Sequence, residues 1–199
     1  MASSSSKDLF EPTQISSSIS ADEAPHIITV HGFFYQANTK IGAQVDNLYK
    51  EGCQRSANIE QFKPILQEDP RLGNIFEPYS AKSLRAIPWG ETPKGDYYTW
   101  NPEVDSGLVF YMVGPGSRFE ICDSSHNLKL GRQKRITDIG LCQTPGDLLQ
   151  SHERIQVEMK EGGVLIVHPN LSHGTEGRSI AFGGLPAQAG MLKTGGHRS

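Results

Sequence analysis

Two histidines close the most chemically suggestive stretch of this 199-residue chain. Residues 161–174 read EGGVLIVHPNLSHG: an acidic and glycine turn, four apolar residues, then His168 and, in the following loop, His173. Imidazole can hold a metal or give and take a proton near neutral pH. A buried strand ending in histidine would deliver that group to the mouth of a β-barrel. The chain also supplies the other parts of a reaction site. Glu103 and Asp96 offer carboxylates for proton transfer, and Arg178 offers a guanidinium that can stabilise developing negative charge. Trp89, Tyr97, Tyr98, Trp100, Phe110, Tyr111 and Phe119 form a dense aromatic set suited to an apolar pocket with a few convergent polar groups.

Other chemistries lack their signatures. There is no HExxH, no P-loop and no G-x-S-x-G, and residues 114–117 (GPGS) make a turn without a dinucleotide fingerprint. The three cysteines, Cys53, Cys122 and Cys142, have no paired spacing, which points to a reducing compartment. Cys122 and Cys142 read as small buried hydrophobes. A net charge of −3 gives no general attraction to nucleic acid or anionic membrane. The one basic cluster, Lys129, Arg132, Lys134 and Arg135, reads as a solvated loop. No run approaches the roughly 18 apolar residues that cross a bilayer. A cytoplasmic protein with a small-molecule partner is expected, without nucleic acid or membrane, and a homodimer is compatible with these properties.

The elements that must position these groups are mostly strands. Residues 1–24, serine-rich and poor in large hydrophobes, read as a disordered tail, residues 25–187 as one domain, and residues 188–199 as a flexible end. Residues 26–35 (HIITVHGFFY) are β-branched and aromatic and predict a strand. Apolar Ile41, Val45, Leu48 and Tyr49 predict a short amphipathic helix, and residues 62–66 a further helical turn stopped at Asp69-Pro70. From Leu84 on, short apolar runs alternate with Gly, Pro and Asp turns: 84–87, 96–100, 108–113, 118–122, 136–141, 155–159, 164–168 and 179–182. That spacing predicts an antiparallel sandwich or barrel with one or two short N-terminal helices. Residues 155–159 alternate inward and outward, and 164–168 are apolar throughout, as in a strand covered on both faces.

The hairpin of residues 157–174 resembles the last hairpin of the phytanoyl-CoA dioxygenase-like family of iron- and 2-oxoglutarate-dependent oxygenases. That family's text is an apolar strand pair joined by a Glu/Lys-Gly turn, then "HP", then the final iron histidine followed by glycine. Residues 106–113 followed by 116–126 (GSRFEICDSSH) resemble its upstream strand-glycine-strand element. The two matches cover roughly residues 105–182 and imply a double-stranded β-helix, a jelly-roll, cupin-like barrel. The resemblance implies that His173 matches the distal iron histidine and that Arg178 is the candidate for gripping the 2-oxoglutarate carboxylate. The chain departs from the family upstream, where a His-x-Asp or His-x-Glu is expected. Residues 89–105 (WGETPKGDYYTWNPEVD) hold carboxylates and aromatics, and no histidine occurs between His31 and His126. A substitute triad would have to combine His173 with His168, His152 or His126 and with Glu103 or Asp96. His126 reads more simply as a loop cap.

The expectation set is therefore a barrel with no metal ligands and no cofactor, with Fe(II) and 2-oxoglutarate entering only under the alternative of an oxygenase with a non-standard triad. The main reading is a tailoring enzyme of natural-product biosynthesis catalysing a redox-neutral isomerisation, dehydration or cyclisation. His173, Arg178 and Glu103 carry the chemistry, and Trp89, Tyr98, Trp100, Phe110, Phe119 and His168 hold the substrate. A non-catalytic small-molecule-binding or accessory protein is the remaining alternative.

Overall fold

A computed structural model describes residues 9–79, 86–100, 107–128 and 141–184. Four described helices precede most of the sheet: α1 (Ala24–His31), α2 (Thr39–Lys50), α3 (Lys63–Glu68) and α4 (Pro70–Phe76). The strands are β1 (Phe33–Ala37), β2 (Ala86–Trp89), β3 (Tyr97–Thr99), β4 (Leu108–Val113), β5 (Ser117–Cys122), β6 (Cys142–Thr144), β7 (Arg154–Met159), β8 (Gly163–Val167), β9 (His173–Glu176) and β10 (Ser179–Gly184). They form two five-stranded sheets, ordered β1-β8-β4-β10-β2 and β6-β3-β9-β5-β7, and every pairing is antiparallel. From β2 to β5 and again from β7 to β10 successive strands cross between the sheets, and β5 pairs with β7 within one, so the fold is the expected double-stranded β-helix, with β1 and β6 added at the edges.

Inward and outward faces follow from register. Tyr111 and Leu165 pair across β4 and β8, and the contact of Tyr111 with His173 across the barrel puts that row inside. Phe110 and Ile166 form the neighbouring row. Phe110 lies edge-on to Phe76 of α4 and to Tyr79, with ring centroids 5.6 and 5.4 Å apart. The helices thus cover the outer face of the larger sheet. With a core on each side, every residue of β4 is buried, which explains its unbroken apolar sequence.

Three expectations are corrected. Residues 26–31 are helical, and the strand begins only at Phe33. Pro25 stands in the first turn, Gly32 ends the helix in the left-handed region at φ +87°, and Ile27 and Ile28 are buried. Packing of one helical face overrides the β-branched propensity of the segment. The helical layer is also larger than one or two helices, because Asp69-Pro70 starts α4 as well as ending α3. The Asp69 side chain accepts the backbone N–H groups of Arg71 and Leu72 as an N-cap. Finally, the expected disordered tail is folded from Leu9 onward. Ile15 is fully buried and donates its N–H to the Tyr35 carbonyl at 2.9 Å, and Phe10 stacks on Phe33. Residues 188–199 and the expected strand at 136–140 lie outside the described residues. Among the described residues no helix is long and apolar enough to cross a membrane.

Candidate functional site

His173 is the first residue of β9, opposite Tyr98 on β3 and Ile121 on β5. Its side chain points into the barrel and is 1% exposed. Nδ1 lies 2.9 Å from the Leu171 carbonyl oxygen. A carbonyl can only accept, so Nδ1 carries the proton and Nε2 presents a lone pair. Tyr111 places its hydroxyl 2.8 Å from Nε2. The indole Nε1–H of Trp100 donates to the same hydroxyl oxygen at 2.5 Å. The direction of every proton in this chain is fixed: Trp100 donates to Tyr111, Tyr111 donates to His173, and His173 donates to Leu171.

Burial sets the electrostatics. Loss of water pushes the His173 imidazole down to about 4, against the upward pull of the Leu171 carbonyl. His173 is therefore neutral at pH 7, as the relay requires. Burial also pushes the Tyr111 phenol well above its ordinary value, partly opposed by the Trp100 donor. Phe119 packs on Tyr111, with ring centroids 6.0 Å apart. Thr99 alternates with Tyr98 on β3 and so points away from His173, and among the described residues its Oγ1 and Asn170 Oδ1 are buried without a hydrogen-bond partner.

The structure brings His173, Trp100, Phe119 and Tyr98 to this region and places three other expected residues elsewhere. Phe110 faces the helices. His168 shares the outward row of Phe110 and Ile166. Its backbone N–H donates to the Gly32 carbonyl at 2.7 Å, and its ring sits 5.2 Å from that of His126. Arg178, in the turn between β9 and β10, reaches outward to α2, with Nη2 2.7 Å from Asp46 Oδ1 and its guanidinium 5.8 Å from the centre of the Tyr49 ring. Arg178 stands five positions after His173, and Gly177 just before it takes a left-handed φ of +100° that ends the extended chain. Alternation sends Phe110 and His168 through the opposite face of the larger sheet, and the turn after β9 carries Arg178 outward to Asp46 of α2. Trp89 stands opposite Ser179 in the β2–β10 pair, and Glu103 lies outside the described residues.

Tyr111 is the residue that sequence reasoning passed over as one aromatic among several. Its signal was parity: it is one residue from Phe110 and so on the other face of β4. Because both faces are buried, the sequence does not say which of the two looks into the barrel.

The described residues do not fit an iron site of two imidazoles and one carboxylate. Such a site needs the Nε2 lone pair of His173, which the Tyr111 hydroxyl occupies. The residue paired with His173 on β3 is Tyr98. Among the described residues no three His, Cys, Asp or Glu side chains come together as a metal site.

No family model matches the sequence, and no curated protein matches it. Solved structures do resemble the fold. SnoN, described as the non-heme alpha ketoglutarate dependent epimerase from nogalamycin biosynthesis, superposes with a TM-score of 0.51 at 10% identity, covering 89% of each chain. SnoK, described as the non-heme alpha ketoglutarate dependent carbocyclase from nogalamycin biosynthesis, gives 0.50 at 15% identity over 89% of this chain and 88% of its own. AviO1 from Streptomyces viridochromogenes Tue57 gives 0.51 at 9% identity over 86% and 97%. These finds correct the expectation of a cofactor-free barrel. SnoN has been solved in complex with Fe3+ and alpha ketoglutarate, so the double-stranded β-helix that this chain shares is a fold in which both groups are held.

Proposed function

We propose that this chain is a small-molecule tailoring enzyme of natural-product biosynthesis, a divergent relative of the phytanoyl-CoA dioxygenase-like oxygenases, in which Tyr111 transfers the proton of a redox-neutral isomerisation, dehydration or cyclisation. The observation that carries this reading is the Trp100–Tyr111–His173 relay inside the barrel. A substrate C–H or O–H bond breaks as its proton passes to the Tyr111 oxygen. The Tyr111 proton passes in the same event to His173 Nε2, and Trp100 N–H steadies the negative charge that gathers on the phenolic oxygen. Return of the proton to a different substrate atom completes an isomerisation, and its return to a leaving hydroxyl completes a dehydration. No electrons are gained or lost. Tyr98, which is half-buried, and Trp100 line the approach. The epimerase and carbocyclase activities named for SnoN and SnoK are tailoring steps of the same broad kind.

The test is product analysis by mass spectrometry and NMR with polycyclic polyketide and terpenoid substrates, run with and without Fe(II) and 2-oxoglutarate. Tyr111→Phe should lower kcat at least a hundredfold in whichever condition supports turnover, while ligand affinity changes little. Full activity in Tyr111→Phe would end this reading. One observation favours a second reading, binding without chemistry: all three relay groups are already paired and buried. That reading predicts saturable binding with the ligand recovered unchanged after prolonged incubation.

A further inference from the structure

A cavity of about 460 Å3 lies outside the barrel, on the face of β4 opposite Tyr111. Ile28 of α1, Ile75 of α4, Pro78, and Leu108 at the start of β4 give it apolar walls, and His126 and His168 close one end. Its size falls within the roughly 300–1,000 Å3 of small-molecule sites. It is far larger than the gaps that a close-packed core leaves.

The chemistry of its lining is specific. Among the described residues that line it there is no Asp, Glu, Lys or Arg. The two imidazoles are locked as neutral tautomers. His126 Nε2–H donates to the Thr29 carbonyl at 3.1 Å, which leaves Nδ1 as a lone pair packed against Gly32. His168 Nδ1 accepts the Asn170 N–H at 3.2 Å, so its proton sits on Nε2. Burial holds the His126 imidazole below its ordinary range. A charged molecule entering here would lose its hydration and find no counter-charge among the described lining residues. Polar groups at the rim, the Asn127 side-chain amide and the Oδ1 of Asn74, whose Nδ2 donates to Asp22, can still hydrogen-bond one end of a guest.

We infer that this cavity is a second small-molecule site, which takes an uncharged, largely apolar ligand with its body against Ile28, Ile75 and Leu108. The site stands whether or not Tyr111 is catalytic, because the sheet separates the two. Binding of Nile red, an uncharged dye, to the full chain should saturate at one equivalent, with the blue-shifted emission of an apolar environment. The anionic 8-anilinonaphthalene-1-sulfonate should bind at least tenfold more weakly. Thr29 is exposed on α1 and Asn127 is exposed across the rim. Thr29→Trp and Asn127→Trp should each fill the cavity and weaken Nile red binding about tenfold or more without lowering Tm. Tyr111→Phe should bind the dye like the unaltered chain. Unsaturable binding, equal affinity for the two dyes, or full binding in both tryptophan variants would overturn the assignment.

Discussion

His173 shows how much one side chain's surroundings decide. An imidazole with an ordinary value near 6.5 is held at about 4 by burial, so the folded state resists a proton that the unfolded chain accepts. Between pH 6.5 and 4 the unfolded state binds more protons. Stability is therefore full above about pH 6.5 and falls as pH drops through that window, by roughly 3 kcal/mol in total. Urea midpoints measured across pH 4–7 should show this slope, and His173→Gln should flatten most of it. A smaller slope of the same sign should remain from His126, whose imidazole burial also lowers. Tyr111→Phe leaves both the Trp100 N–H and His173 Nε2 buried without their partner. It should cost about 1–3 kcal/mol in urea unfolding. At this scale the sequence was half legible. His173 stands out in the sequence because it follows an apolar strand and a proline, a local pattern that resembles the family's final hairpin. Tyr111 lies 62 residues before it and Trp100 a further 11 residues earlier, and only the tertiary fold joins them.

Elements were legible where the chain alone decides them and obscure where neighbours do. β4 was bounded to the residue because it is apolar throughout and flanked by glycines. The segment 26–31 was misjudged because its β-branched residues favour a strand, while burial of Ile27 and Ile28 against the rest of the fold favours a helix. Gly32 makes that helix possible in two ways. It adopts a left-handed φ of +87°, and a Cβ there would sit 2.5 Å from His126 Nδ1 and 2.7 Å from Leu171. Gly32→Ala should lower stability by at least about 1–2 kcal/mol from backbone strain, with more from the clash, read as a shift in the urea midpoint. The helix start at Asp69 is a second such point. Its carboxylate caps two backbone N–H groups of α4 and accepts from Gln36. Asp69→Ala should cost about 1–2 kcal/mol, and Asp69→Asn should recover most of the cap.

Across the whole molecule, strand spacing and the terminal hairpin were enough to indicate a double-stranded β-helix, but not where its closure is thinnest. β4 is paired along its full length to β8 on one side and β10 on the other. β3, by contrast, has three residues and meets β9 at the single pair Tyr98–His173. The backbone of Trp100 then leaves the sheet to donate to the Pro169 carbonyl at 2.8 Å. The weakest seam of the barrel therefore runs beside the relay, and opening it would expose Trp100 and Tyr111 without disturbing the larger sheet. Local openings cost far less than global unfolding where few hydrogen bonds must break. Backbone amides of residues 97–100 should accordingly exchange with deuterium at least about a hundredfold faster than those of β4 and β8. A ligand held at Tyr111 should slow the seam selectively, because it stabilises the closed state and leaves the larger sheet as it was. Equal protection on both sides of the barrel would place the entrance elsewhere.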